Sequence, residues 1–189
     1  MESVLIVSAG DKARQVLLEL ARLSGLCSSA SVTSCSDARR LLLESGFDLI
    51  IINTPLPDEF GHDFAVMAAE SSGAGVILVV KAEMADEISQ KVEDAGVFVV
   101  EKPINRQMFF QSVKLVGAAR RRLQGLKNEN VKLKHKIEEI RMVDRAKCQL
   151  IQHQNLTEAQ AHRYIEKQAM DRRLSRREIA QSILDAYEE

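Results

Sequence analysis

The chain has 189 residues, 46% of them hydrophobic, no tryptophan and a formal net charge of −1, which gives room for one full domain and a smaller module and excludes a fibrous or disordered protein. The apolar run at residues 4–7 is short and follows no basic segment, so neither a signal peptide nor a membrane span is expected, and the cytoplasm is the expected compartment. Cys27, Cys35 and Cys148 are odd in number and lack paired spacing, which argues against a disulfide framework or a zinc site.

Residues 1–116 hold 10 Lys and Arg against 16 Asp and Glu, whereas residues 117–189 hold 16 against 11. A polyanionic partner is therefore expected at the C-terminal half, with a solvated helical surface as the plainer reading of the same charge. Short apolar runs at residues 4–7, 49–52, 76–80 and 97–100, and a weaker one near 30–33, are separated by helix-length segments. Such alternation predicts an α/β fold: a five-stranded parallel, doubly wound sheet whose functional residues sit at the C-terminal strand ends.

Residues 48–61, reading DLIIINTPLPDEFG, and the Lys102-Pro103 pair resemble the receiver domain of two-component response regulators, over about residues 1–118. The resemblance implies a phosphoryl-accepting Asp at the end of the third strand and an acidic pair after the first that holds a divalent cation. Asn53 stands at the acceptor position, and Ser8 and Ala9 stand where the acidic pair belongs. An amide supplies neither the nucleophile nor the hard anionic ligand that this chemistry needs, so the domain reads as a pseudo-receiver. Lys102 alone remains of the usual set, and is expected to hydrogen-bond Asn53 or a strand-end carbonyl. Asp11 and Asp58, in nearby loops, are the stand-in carboxylates to consider.

After Asn105 a helical pattern runs without proline to about residue 154. Within it Val116, Leu123, Asn130 and Ile137 fall at a positions, and Ala119, Leu126, Leu133 and Ile140 at d positions, of a heptad repeat. A lone Asn at a favours a parallel two-stranded coil, so residues 119–142 are read as a coiled-coil linker that makes a homodimer. An amphipathic face packed on its own domain is the other reading of this seam. Past Ile140 the register fails, and the apolar positions shift to Val143, Ala146, Leu150 and Ile151.

Thr157 with Gln160, and Ser175 with Glu178, have capping-box spacing, so residues 143–189 are read as a small three-helix bundle. Its core is expected to include Ala161, Ile165, Ala169, Ile179, Ala180, Ile183, Leu184 and Tyr187. Left outside are Arg145, Lys147, Arg163, Tyr164, Lys167, Arg172, Arg173, Arg176 and Arg177, a cationic face with one aromatic side chain able to stack on an unpaired base. The residues Arg145-Ala146-Lys147, Leu150, Thr157-Glu158, Ala161, Ile165, Ala169-Met170, Ser175 and Glu178-Ile179-Ala180 resemble the ANTAR domain, the antiterminator module of AmiR- and NasR-type regulators. Cys148, Ile151, His162 and Glu166 depart from its usual pattern; Glu166 replaces a common basic residue.

The resemblance implies a dimeric regulator that binds hairpins in leader RNA and promotes transcription antitermination. Neither catalysis nor a cofactor is expected, and the controlling signal, a regulatory protein partner or a small ligand in the vacant acidic pocket, leaves no motif in the sequence. Two other classes remain open: a DNA-binding response regulator that uses residues 157–184 as a helix-turn-helix, and a dimeric adaptor that binds protein alone.

Overall fold

The computed structural model describes residues 3–187, and the chain divides into two compact units, Met1–Gln124 and Gly125–Glu189. In the first unit β1 (Ser3–Ser8), β2 (Ser28–Val32), β3 (Leu49–Asn53), β4 (Gly75–Lys81) and β5 (Phe98–Lys102) form one parallel sheet in the order β2-β1-β3-β4-β5. Between them run α1 (Asp11–Leu23), α2 (Cys35–Glu44), α3 (His62–Ser72) and α4 (Ala82–Val92), and α5 (Arg106–Gln154) follows β5. This is the doubly wound fold expected from the alternating runs.

The central strands are apolar throughout because helices cover both of their faces. Leu5, Val7, Ile50, Ile52 and Leu78 face one core, while Val4, Ile6, Leu49, Ile51, Ile77 and Val79 face the other, as the two-residue period of a strand requires. β2 lies at the edge and is mostly exposed, which explains its weak apolar signal.

The first turns of α5 belong to the second of these cores, where Phe109, Val113 and Val116 are buried. Here the heptad reading needs correction. Val116 is not a free a position but packs on β4 so closely that a Cβ at Gly75 would lie 2.3 Å from its Cγ1. Arg120, one turn on, pairs with Asp48 at 2.6 Å and donates from Nε to the Gly73 carbonyl at 3.1 Å. Further along α5, Leu123, Leu126, Leu133, Ile137 and Ile140 are 50–67% exposed in the single chain.

In the second unit, Ala146 and Leu150 of α5 pack with Ala161 and Ile165 of α6 (Glu158–Arg172) and Ile179, Ala180 and Leu184 of α7 (Arg176–Tyr187). Both capping boxes form. Reciprocal bonds run from the Thr157 N–H to Gln160 Oε1 at 2.9 Å and from the Gln160 N–H to Thr157 Oγ1 at 3.3 Å. Ser175 and Glu178 repeat the exchange at 2.7 and 3.2 Å. At the other end of α6, the Leu174 N–H reaches the Ala169 carbonyl and the Arg173 N–H the Met170 carbonyl, closing the helix with Arg173 in the left-handed region at φ 56°.

Candidate nucleic-acid interface and the receiver-like strand ends

At the C-terminal end of the sheet, β1 and β3 lie side by side with Ser8 opposite Asn53. The Asn53 amide donates from Nδ2 to Ser8 Oγ at 2.9 Å, so two neutral side chains join where the receiver pattern has carboxylates. Lys102 donates from Nζ to the Thr54 carbonyl, the strand-end bond expected of it, and Thr54 Oγ1 donates to the Val79 carbonyl at 2.9 Å. Partial burial pushes the Lys102 pKa down, with the Lys81 charge adding to the effect.

Neither stand-in carboxylate is available. Asp11 pairs with Arg14 within α1. Asp58 crosses to the start of α2, where Oδ1 accepts the Cys35 N–H at 3.1 Å and Oδ2 accepts both the N–H and the hydroxyl of Ser36 at 2.9 Å. A carboxylate at a helix N-terminus satisfies unpaired N–H groups and meets the positive end of the helix dipole. Desolvation raises the Asp58 pKa, but the bonds from Ser36 and Cys35 outweigh it and hold the value at about 2. Among the described residues no cluster of His, Cys, Asp and Glu is arranged to hold a metal ion, so the residues present do not fit the divalent cation implied by the receiver resemblance.

In the second unit the structure sorts the cationic residues into two groups. Lys147 is drawn inward: its side chain is 16% exposed and bonds Asp144 at 2.8 Å and Glu158 at 2.9 Å, which push its pKa up. Arg176 lies near Glu139 and Glu166, at 3.8 and 3.9 Å, and Glu166 also meets His162 at 3.3 Å. Arg145 is exposed on α5. Arg163, Lys167, Arg172, Arg173 and Arg177 are exposed and make no ion pair among the described residues.

Tyr164, Gln168 and Arg172 stand at i, i+4 and i+8 on α6, so they share one face. With Ser182 and Tyr187 of α7 and Gln154 of α5 they line a groove of about 200 Å³. Tyr164 is 38% exposed, with its ring neither fully packed nor fully solvated. Tyr187, expected in the core, is half-buried against it and stacks on His153 with ring centroids 4.7 Å apart, and its hydroxyl accepts from Gln154 Nε2 at 2.7 Å. Sequence reasoning passed over Gln154, Gln168 and Ser182; the four-residue spacing from Tyr164 was the signal for Gln168.

Residues 131–184 match the family model described as the ANTAR domain. Over 139 residues the chain is 27% identical to the transcriptional regulatory protein PdtaR of Mycobacterium tuberculosis, across 73% of this chain and 67% of the relative. A response regulator receiver domain protein from Clostridium thermocellum superposes with a TM-score of 0.58 at 15% identity, over 65% of this chain and 99% of that one. A CheY-like receiver domain from Methylobacillus flagellatus gives 0.54 at 20% identity, over 61% and 98%. At these identities the two structures bear on the fold of the first unit alone. The chain thus joins a first unit with the receiver-type fold to a C-terminal segment that matches the ANTAR domain, and over most of its length it is similar to an ANTAR-type transcriptional regulatory protein.

Proposed function

We propose that this chain is an RNA-binding transcription antitermination regulator that acts as a dimer on hairpins in leader RNA, and that its receiver-like domain takes no phosphoryl group at the usual site. The observation that carries the reading is the groove of the ANTAR unit, in which Tyr164 is presented beside Arg172 with amide and hydroxyl groups around them. An unpaired loop base can stack on the Tyr164 ring while Gln168 and Ser182 hydrogen-bond its edge and Arg172 meets the adjoining phosphate. Arg163, Lys167, Arg173 and Arg177 supply further phosphate contacts, and Lys147 and Arg176, held by carboxylates, supply less.

The dimer half of the proposal is supported by the exposed apolar residues of α5, which a parallel partner helix would cover with Asn130 bonded to its own symmetry mate. The loss of phosphorylation is supported by the neutral Ser8–Asn53 pair. Among the described residues no helix is long and apolar enough to cross a membrane. The protein works in the cytoplasm, performs no catalysis, and answers to a signal other than phosphate, such as a regulatory protein partner. Sequencing RNA crosslinked to the protein in cells tests the reading: enrichment of paired hairpins in untranslated leaders is expected, and recovery of no RNA above a Tyr164→Ala/Arg172→Ala control overturns it.

A further inference from the structure

Beside the receiver-like strand ends the first unit has a cavity of about 620 Å³ between α1 and the segment that leads from β5 into α5. Its wall is mainly apolar, made by Val16, Leu17 and Leu20 of α1 and by Pro103 and Ile104. Val16 is 50% exposed, so apolar surface is left open here. The cavity also reaches Asn53 and Lys102 at the strand ends and Lys12 at the start of α1, and no Asp or Glu lines it. Its volume lies in the range of small-molecule sites, which are apolar with a few placed polar groups.

The polar end is cationic without compensation. Lys102 is partly buried, has three donors and gives one to the Thr54 carbonyl, and pairs with no carboxylate among the described residues. Asn53 and Ser8 satisfy one another and bring no charge, and Asp11, beside Lys12 in sequence, is paired with Arg14. A half-buried ammonium is stabilised by an opposite charge brought to it, and burial together with Lys81 already depresses the Lys102 pKa. We propose that this cavity is a ligand site for an amphiphilic monoanion, an organic acid whose carboxylate meets Lys102 while its aliphatic or aromatic body lies against Val16, Leu20 and Ile104. Such a site gives the domain a chemical input where the phosphoryl chemistry is missing, and it does not depend on the RNA-binding reading.

Isothermal titration of the full-length protein tests the proposal, with octanoate and 3-phenylpropanoate as the aliphatic and aromatic probes and 1-octanol and inorganic phosphate as controls. At least one of the two acids is expected to bind once per chain, with 1-octanol and phosphate each roughly tenfold weaker or worse, because each keeps only half of the recognition. Lys102→Met is expected to bring the acid down to the level of 1-octanol, Lys102→Arg to retain binding, and Val16→Asp to abolish it. Circular dichroism identifies any variant that has lost its fold, and the comparison of acid with alcohol on the unaltered protein stands without the variants. Failure of both acids to bind, equal binding of octanol, or unaltered binding by a folded Lys102→Met protein overturns the proposal.

Discussion

Replacing Arg173 with Gly separates what this residue does for the fold from what it does for binding. Arg173 closes α6 at φ 56° and ψ 38°, in a turn where glycine is the usual occupant because a Cβ is disfavoured there. Holding a non-glycine residue in the left-handed region costs about 1–2 kcal/mol. Glycine has more freedom to lose on folding, which takes back about 0.4–1 kcal/mol. The net expectation for Arg173→Gly is an ANTAR unit more stable by about 0.5–1 kcal/mol. The side chain makes no ion pair among the described residues, so its removal breaks no contact that would reverse the sign. In thermal melts followed by circular dichroism, the transition of the α6–α7 region should move to higher temperature. RNA affinity should fall in the same protein, with the slope of log K against log salt shallower by about 0.7–0.9 for the phosphate contact removed. A melting temperature that falls would refute the strain argument, and an unchanged affinity and salt slope would remove Arg173 from the interface.

Gly75→Ala should destabilise the receiver-like domain by about 1–3 kcal/mol, since its Cβ has no room against Val116, and Val116→Ala in the same chain should relieve part of the clash; urea denaturation measures both. The Asp58 cap predicts a particular acid sensitivity. Its folded pKa, about 2, lies below the ordinary 3.8, so its stabilisation is present above about pH 4 and is lost as the pH falls through about 2. Asp58→Asn should flatten the fall in melting temperature across that window, and an identical fall in both proteins would dismiss the cap. Asn130→Leu should loosen the preference for two strands, which sedimentation equilibrium reads as trimers or tetramers beside the dimer; a monomer in the unaltered protein contradicts the coiled-coil reading.

The sheet was legible because strands buried on both faces leave runs as plain as residues 49–52 and 76–80, and β2 was faint because an edge strand need not be apolar. The starts of α6 and α7 were legible because capping boxes are local, the partners three residues apart. What the sequence concealed depends on partners far along the chain. Lys147 pairs with Glu158 eleven residues away, across a turn between helices, and Arg176 approaches Glu139 and Glu166 on two other helices. Val116 fits a heptad by spacing, yet spacing cannot distinguish a partner helix from the β4 surface on which it packs. The same limit applies to Asp58, whose use as a cap for α2 requires the loop after β3 to lie beside a helix 22 residues earlier. That Asn53, Ser8 and Ala9 are neutral needs no partner to be read, being a matter of residue type alone.

The central claim, an RNA-binding surface on the ANTAR unit, is tested most directly by an electrophoretic shift with a two-hairpin leader RNA, in competition with duplex DNA of equal length and at several salt concentrations. The account predicts that the RNA is bound in preference to the DNA, that binding weakens steeply with salt, and that Tyr164→Ala/Arg172→Ala loses most of the preference. Equal competition by the DNA, or a double variant that binds the RNA like the unaltered protein, would contradict it.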